Sequence, residues 1–244
     1  TLNVGADSAQ DVAGNGNAAA LQFTTLYDVS APSVVISSDV EGESTNVPFE
    51  VTFTFSEGVR GFTGSDIAIT NASVGTLTTE SASVYSTTIT PTNDGPVTLS
   101  IPANAAQDEA GNNNTASALF SLSFDSTSPQ LLSSTPAHND VDVANARLQV
   151  RLVFNEEVVI NGGNISLVNL ADSSVLESLS LLGASVTSEA TSITANFAAT
   201  LTENETYSIV VGAGNITDAA GNSWQGLGEG ELSFTASNEP PGSN

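Results

Sequence analysis

Short runs of strictly alternating apolar and polar residues dominate this chain. Val51, Phe53 and Phe55 fall on one side of an extended segment, while Thr52, Thr54 and Ser56 fall on the other. Val97, Leu99 and Ile101 repeat the arrangement, as do Phe120, Leu122 and Phe124 between Ser121 and Ser123. Leu148, Val150, Leu152 and Phe154, and then Tyr207, Ile209 and Val211, carry it onward. A period of two puts alternate side chains on opposite faces, so each run predicts a strand with one face in a core and the other in water. Gly, Asn, Asp and Pro break the runs, and no stretch carries a helical period.

Spaced along the chain, these runs predict two sandwiches. Over residues 30–127, strands are expected near 34–38, 47–56, 67–71, 75–79, 84–92, 97–102 and 119–125. Over 128–237, they are expected near 131–134, 148–155, 165–170, 175–182, 192–198, 207–212 and 231–236. About seven short strands per roughly 100 residues is the signature of an immunoglobulin-like antiparallel β-sandwich. Residues 238–244, with Pro240-Pro241-Gly242, read as a tail or linker. The expected class is therefore all-β, with sandwiches in tandem in a rod-like array.

The repeat is visible directly. Residues 1–32 align without a gap on residues 98–129, an offset of 98 − 1 = 97. A fixed period of this size marks modules that each fold as a unit. By this alignment, residues 1–29 are the last two strands of a preceding module. An isolated hairpin is marginal in water. Two explanations stay open: a piece of a longer array, or a hairpin that pairs with another copy of the chain by strand addition.

Charge narrows the function. The chain has 244 residues, Lys+Arg 3 against Asp+Glu 27, and a formal net charge of −24. Arg60, Arg147 and Arg151 are the only basic side chains besides His138. Nucleic-acid binding needs a basic patch that three arginines do not make, and attachment to an anionic membrane fails for the same reason. Self-repulsion on this scale calls for screening by salt or by bound cations. Without cysteine there are no disulfides and no thiolate metal sites. No apolar run is long enough to span a bilayer, and the chain opens at Thr1 without a signal sequence, as in a mature product or a piece of something longer.

One motif recurs three times: Asp11-Val-Ala-Gly-Asn15, Asp108-Glu-Ala-Gly-Asn112 and Asp218-Ala-Ala-Gly-Asn222. With Phe55-Ser-Glu57-Gly-Val59 and Gly61-Phe-Thr-Gly-Ser-Asp66-Ile67, the middle module resembles the bacterial Ig-like repeats of very long surface adhesins. The last module carries Ser134-Thr-Pro136-Ala-His-Asn-Asp140, Phe154-Asn-Glu156-Glu-Val158, Leu201, Tyr207 and the third motif. That set is similar to the Ig-like domain of S-layer and secreted surface proteins. The resemblance implies a secreted or cell-surface location and a scaffold or adhesive task, often with calcium. It implies no enzyme activity, and fold alone does not settle function.

Sandwich topology predicts where the acidic residues meet. The loop after the second strand, the loop between the last two strands and the chain's entry share one end of a module. Glu57 and Asp66 are therefore expected near Asp108 and Asn112, with Asp28 arriving from the preceding module. At the next junction Asp125 is expected beside Glu156, Glu157, Asp218 and Asn222. Ca²⁺ takes about six to eight oxygen ligands, and such a group of carboxylates, amide and backbone oxygens suits it better than Mg²⁺, which keeps its waters. An ion there would stiffen a short linker. The competing reading is a plain tight turn, since Asp and Asn bond their own backbone and Gly accepts positive φ.

Other residues point to less. A single histidine builds no catalytic or metal pair, and His138 is expected in a solvated loop. Trp224 could stack on a sugar, which would make the chain a carbohydrate-binding module of a secreted hydrolase; a lone aromatic more often plugs a sandwich end. Glu156 and Glu157 are adjacent, which on a strand points them apart and opposes paired acid–base work. Asn-x-Ser/Thr sites at Asn71, Asn113, Asn164, Asn204 and Asn215 match what so Asn-, Ser- and Thr-rich a chain gives by chance. The expected role is a non-enzymatic, calcium-stiffened extracellular spacer. Its expected partners are neighbouring modules or other copies of the chain, and the main alternative is a filament subunit assembled by strand donation.

Overall fold

The strand Phe49–Phe55 realises the first alternation: Phe49, Val51, Phe53 and Phe55 are buried, while Glu50 and Thr54 face water. This computed structural model describes residues 1–25 and 27–237; the expected 238–244 tail lies outside the described residues. The regular secondary structure of the described residues is nearly all strand, with a single 3-10 turn, as the period of two requires.

In the middle module one sheet runs Val34–Ser38, Phe49–Phe55, Val84–Pro91, Ala72–Val74, with Thr78–Thr79 also paired to Val84–Pro91. The facing sheet runs Ser44–Thr45, Phe120–Phe124, Gly95–Ser100, Ala68–Thr70. The last module repeats the scheme. Leu131–Thr135, Gln149–Phe154, Ser192–Asn196 and Val186–Glu189 form one sheet; Asp140–Ala144, Ser233–Ser237, Thr206–Val211, Asn164–Asn169 and Ser174–Ser180 form the other. The expected all-β tandem sandwich is what the chain forms.

Six short strands fall outside the expected ranges, among them Ala72–Val74 between the expected 67–71 and 75–79. Ser44–Thr45 and Asp140–Ala144 pair parallel to the last strand of their modules; the first is a polar pair, and the second alternates Asp140 and Asp142 with Val141 and Val143 while burying little of either face. Val186–Glu189 is an edge strand, and Val159–Ile160 with Ile216–Thr217 forms a two-residue ribbon. The three two-residue strands, Ser44–Thr45, Val159–Ile160 and Ile216–Thr217, are too short to display a period.

Each module has its own core. In the middle one Phe53, Phe55, Phe62 and Tyr85 form an edge-to-face cluster with centroids 5.2–5.9 Å apart, a geometry that adds quadrupole attraction to area burial. In the last one Tyr207 anchors a corner: its Oη accepts from Thr202 N at 2.8 Å and donates to Glu205 at 3.2 Å. Trp224 is 2% exposed and stands edge-on to Phe154, centroids 5.1 Å apart. The plug reading of Trp224 is therefore correct, and no exposed indole face is left for sugar stacking.

The 97-residue offset holds down to single hydrogen bonds. Leu2 N donates to Phe23 O at 2.8 Å, in the register that pairs Leu99 with Phe120. Ala20 N to Val4 O reproduces Ser117 N to Ile101 O, both at 2.9 Å. Asn17 makes the three side-chain bonds of Asn114: it accepts from Ala9 N and donates to Gly5 O and Ala18 O, as Asn114 accepts from Ala106 N and donates to Pro102 O and Thr115 O. Residues 1–25 thus fold as a copy of the middle module's closing hairpin.

Candidate metal centres at the module seams

The Asp-x-Ala-Gly-Asn loop closes on itself. In the middle module Asp108 Oδ1 accepts from Asn112 N at 2.8 Å and Asp108 Oδ2 from Asn112 Nδ2 at 2.8 Å. Asp218 and Asn222 make the same pair at 2.8 and 2.7 Å. Asp11 and Asn15 do so at 2.9 Å each, and among the described residues no acidic trio forms around them. The turn therefore needs no ion. Gly14, Gly111 and Gly221 sit at φ +85°, +94° and +95°, which a β-carbon would strain.

What distinguishes the second and third copies is convergence. One carboxylate oxygen from each of Asp28, Glu57 and Asp108 lies within 4.8 Å of the other two. Asp125, Glu156 and Asp218 form the second such trio. In each, the first residue closes one repeat, the second follows the second long strand of the next module, and the third opens the loop before its last strand. Asp28 Oδ1 accepts from Ser30 N and Asp125 Oδ1 from Thr127 N, both at 2.9 Å, a turn that commits one oxygen and leaves the other.

The electrostatics carry the signature of crowded like charge. Burial, then Asp28 and Asp108, push the Glu57 carboxyl above its ordinary value. Burial, then Asp125 and Asp218, do the same to Glu156. Asp108 goes the other way: burial opposes its ionisation, but the donors of Asn112, Gly111 and Ala110 outweigh it and hold the carboxyl low. Three carboxylates at this spacing repel unless a cation or proton stands among them. A purely oxygen donor set is the chemistry of a hard divalent ion, and three carboxylates leave the rest of a Ca²⁺ shell to carbonyls and water.

Not every expected ligand joins. Asp66 caps a short 3-10 turn instead, its Oδ2 accepting from Thr63 N at 2.8 Å and Thr63 Oγ1 at 2.7 Å. Asn112 and Asn222 reach the seam as donors: Nδ2 of Asn112 donates to the Asp28 carbonyl at 3.1 Å, and that of Asn222 to the Asp125 carbonyl at 2.8 Å. Glu157 is exposed and outside the trio. His138 lies in an exposed turn, as expected, and its Nδ1 accepts from Ser233 N at 3.2 Å.

Two seam contacts had no signal in the sequence. Asn46 Nδ2, in the middle module, donates to Asn222 Oδ1 at 3.2 Å across 176 residues. Asp94, in the turn before Gly95–Ser100, receives Ser126 N and Oγ at 2.7 Å each and Thr127 Oγ1 at 2.6 Å. Asp94 in Thr-Asn-Asp-Gly reads as an ordinary turn residue, and its partners lie 32 and 33 positions away.

Residues 28–124 match one family profile described as bacterial Ig-like domain, and residues 125–236 match a second with the same description. No curated protein sequence matches the chain. Among solved structures, the chain is similar to the Escherichia coli adhesin FdeC, at 13% identity and TM-score 0.44, over 93% of this chain and 70% of that one. It is similar to InvD of Yersinia pseudotuberculosis at 11% identity and TM-score 0.32, over 84% and 57%. A third is invasin, a bacterial integrin-binding protein, at 12% identity and TM-score 0.33, over 72% and 36%.

Proposed function

Since this chain belongs to the bacterial Ig-like domain family, as two such domains in tandem, we propose that it is a non-enzymatic, extracellular spacer whose seams are stiffened by Ca²⁺. The observation that carries the reading is the placement of the trios. Each draws one carboxylate from the end of one repeat and two from the next module. An ion held there ties two bodies that otherwise meet through a few hydrogen bonds, and so removes bending freedom from the linker. The location outside the cell rests on the resemblance of both modules to repeats of surface proteins. With no lysine and a charge of −24, bound divalent ions also relieve self-repulsion.

The test is metal analysis of the purified chain joined to small-angle scattering. About two calcium ions per chain and a longer, narrower distance distribution with calcium than with chelator are expected. Curves that superimpose in the two conditions would refute the stiffening role. The filament alternative predicts linear polymers in light scattering, whereas the spacer predicts a monomer.

A further inference from the structure

The 1–25 hairpin shows its core face to solvent. Leu2 is 68% exposed, Val4 45% and Phe23 62%. The residues 97 positions on, Leu99 and Ile101, are fully buried, and Phe120 packs against the same core. The backbone bonds and register described above are shared, and what the 1–25 hairpin lacks is a cover for its apolar face. In the middle module that cover is the sheet of Val34–Ser38, Phe49–Phe55, Val84–Pro91 and Ala72–Val74. Exposed apolar area of this kind is a binding surface or a liability.

We infer that the apolar face of residues 1–25 is the docking surface for a β-sheet of that same kind, supplied by the same polypeptide ahead of Thr1 as the opening strands of a further module. Three observations select this occupant. Three inward residues keep the identity or class of their counterparts, Leu2 for Leu99, Val4 for Ile101 and Phe23 for Phe120, while Thr25 stands where the middle module has Leu122. The hairpin leaves toward the next module as the middle module's own hairpin does, with the Asp28 carbonyl held by Asn112 just as that of Asp125 is held by Asn222. A second copy has no lane to offer, because the inner face of its matching sheet is closed by its own Leu99, Ile101 and Leu122. Two copies, each at −24, also repel.

The inference rests on the tandem-array reading but not on the ion, so its test is run in chelator throughout. A chain is made with a second copy of residues 30–97 placed directly ahead of Thr1, which keeps the repeat in frame. Amide exchange of Leu2, Asp7, Asn17, Ala20 and Phe23 is compared with that of the native chain. Roughly hundredfold slower exchange in the extended chain, as a monomer, is expected, because an uncovered hairpin opens at almost no free-energy cost. Unchanged rates would overturn the inference, as would a native chain that already protects these amides, either alone or through a dimer visible in light scattering. Phe23→Asp in the native chain gives an independent reading: both modules should melt within about 1 °C of the parent. A larger drop would mean that the face is already covered within the chain as it stands, and the inference would fail.

Discussion

Thr127 is tied to Asp94: its Oγ1 donates to Asp94 Oδ2 at 2.6 Å, while Ser126 fills Oδ1 with its amide and hydroxyl. Thr127 first, then Ser126, hold the Asp94 carboxyl below its ordinary value. The turn of one module thereby grips the strap leading to the next. Asp94→Ala should widen the angular distribution at this seam, read by spin-label distances between the modules, with the largest effect in chelator. Both cores should keep their melting temperatures. The grip contributes only when Asp94 is ionised, so it is present at neutral pH and lost as pH falls through the depressed value.

Glu57 and Glu156 behave oppositely. Their raised values mean that the metal-free fold binds protons that the unfolded chain does not, between the ordinary value and the raised one. Without metal, stability should rise as pH falls through that window, and the strain should be full above it. Glu57→Gln and Glu156→Gln should each raise the metal-free melting temperature at pH 7 and each abolish about half of the calcium-induced stabilisation. Calorimetry with and without calcium across pH 4–7 reads both; calcium affinity should fall as pH drops through the same window.

Asp66 and Asp28 separate a cap from a ligand. Asp66→Ala removes the two bonds to Thr63 and should leave calcium stoichiometry at the parent value. Asp28→Asn keeps the turn with Ser30 but removes a charge from the first trio, and should lower the bound calcium by about one ion per chain. Metal analysis of the two variants after dialysis distinguishes them.

Trp224→Ala removes a buried ring packed edge-on to Phe154. A loss of about 3–5 kcal/mol from the last module is expected, with the middle module unchanged. Two calorimetric transitions, only one of them displaced, would show the cores to be independent. Polysaccharide binding should be absent in the parent chain as in the variant.

The fold was legible wherever a strand has one wet and one dry face. Val51, Phe53 and Phe55 announce their sheet because Thr52 and Thr54 interrupt them. Ser44–Thr45 gave no such contrast, and Asp140–Ala144 alternates aspartate with valine but stays exposed on an edge, held by backbone bonds to a neighbouring strand. The trios followed from topology, since a sandwich must bring its entry point and two of its loops to one end. Asp66 was misplaced because a carboxylate three residues after Thr63 satisfies itself locally, and sequence distance does not reveal which way it turns. The contacts of Asp94 and Asn46 depend on how one body abuts the next, information no periodicity carries.

The trio spanning each seam is contributed unequally: a single aspartate from the unit before, and a glutamate with an aspartate from the unit after. The middle and last modules match different profiles, yet each sets one glutamate and one aspartate against a single aspartate of the unit before it. The trio is the part of the joint that both seams share, whereas Asp94 holds Ser126 and Thr127 at positions where the first seam has Val29 and Ser30, so each joint keeps a lock of its own around a common centre.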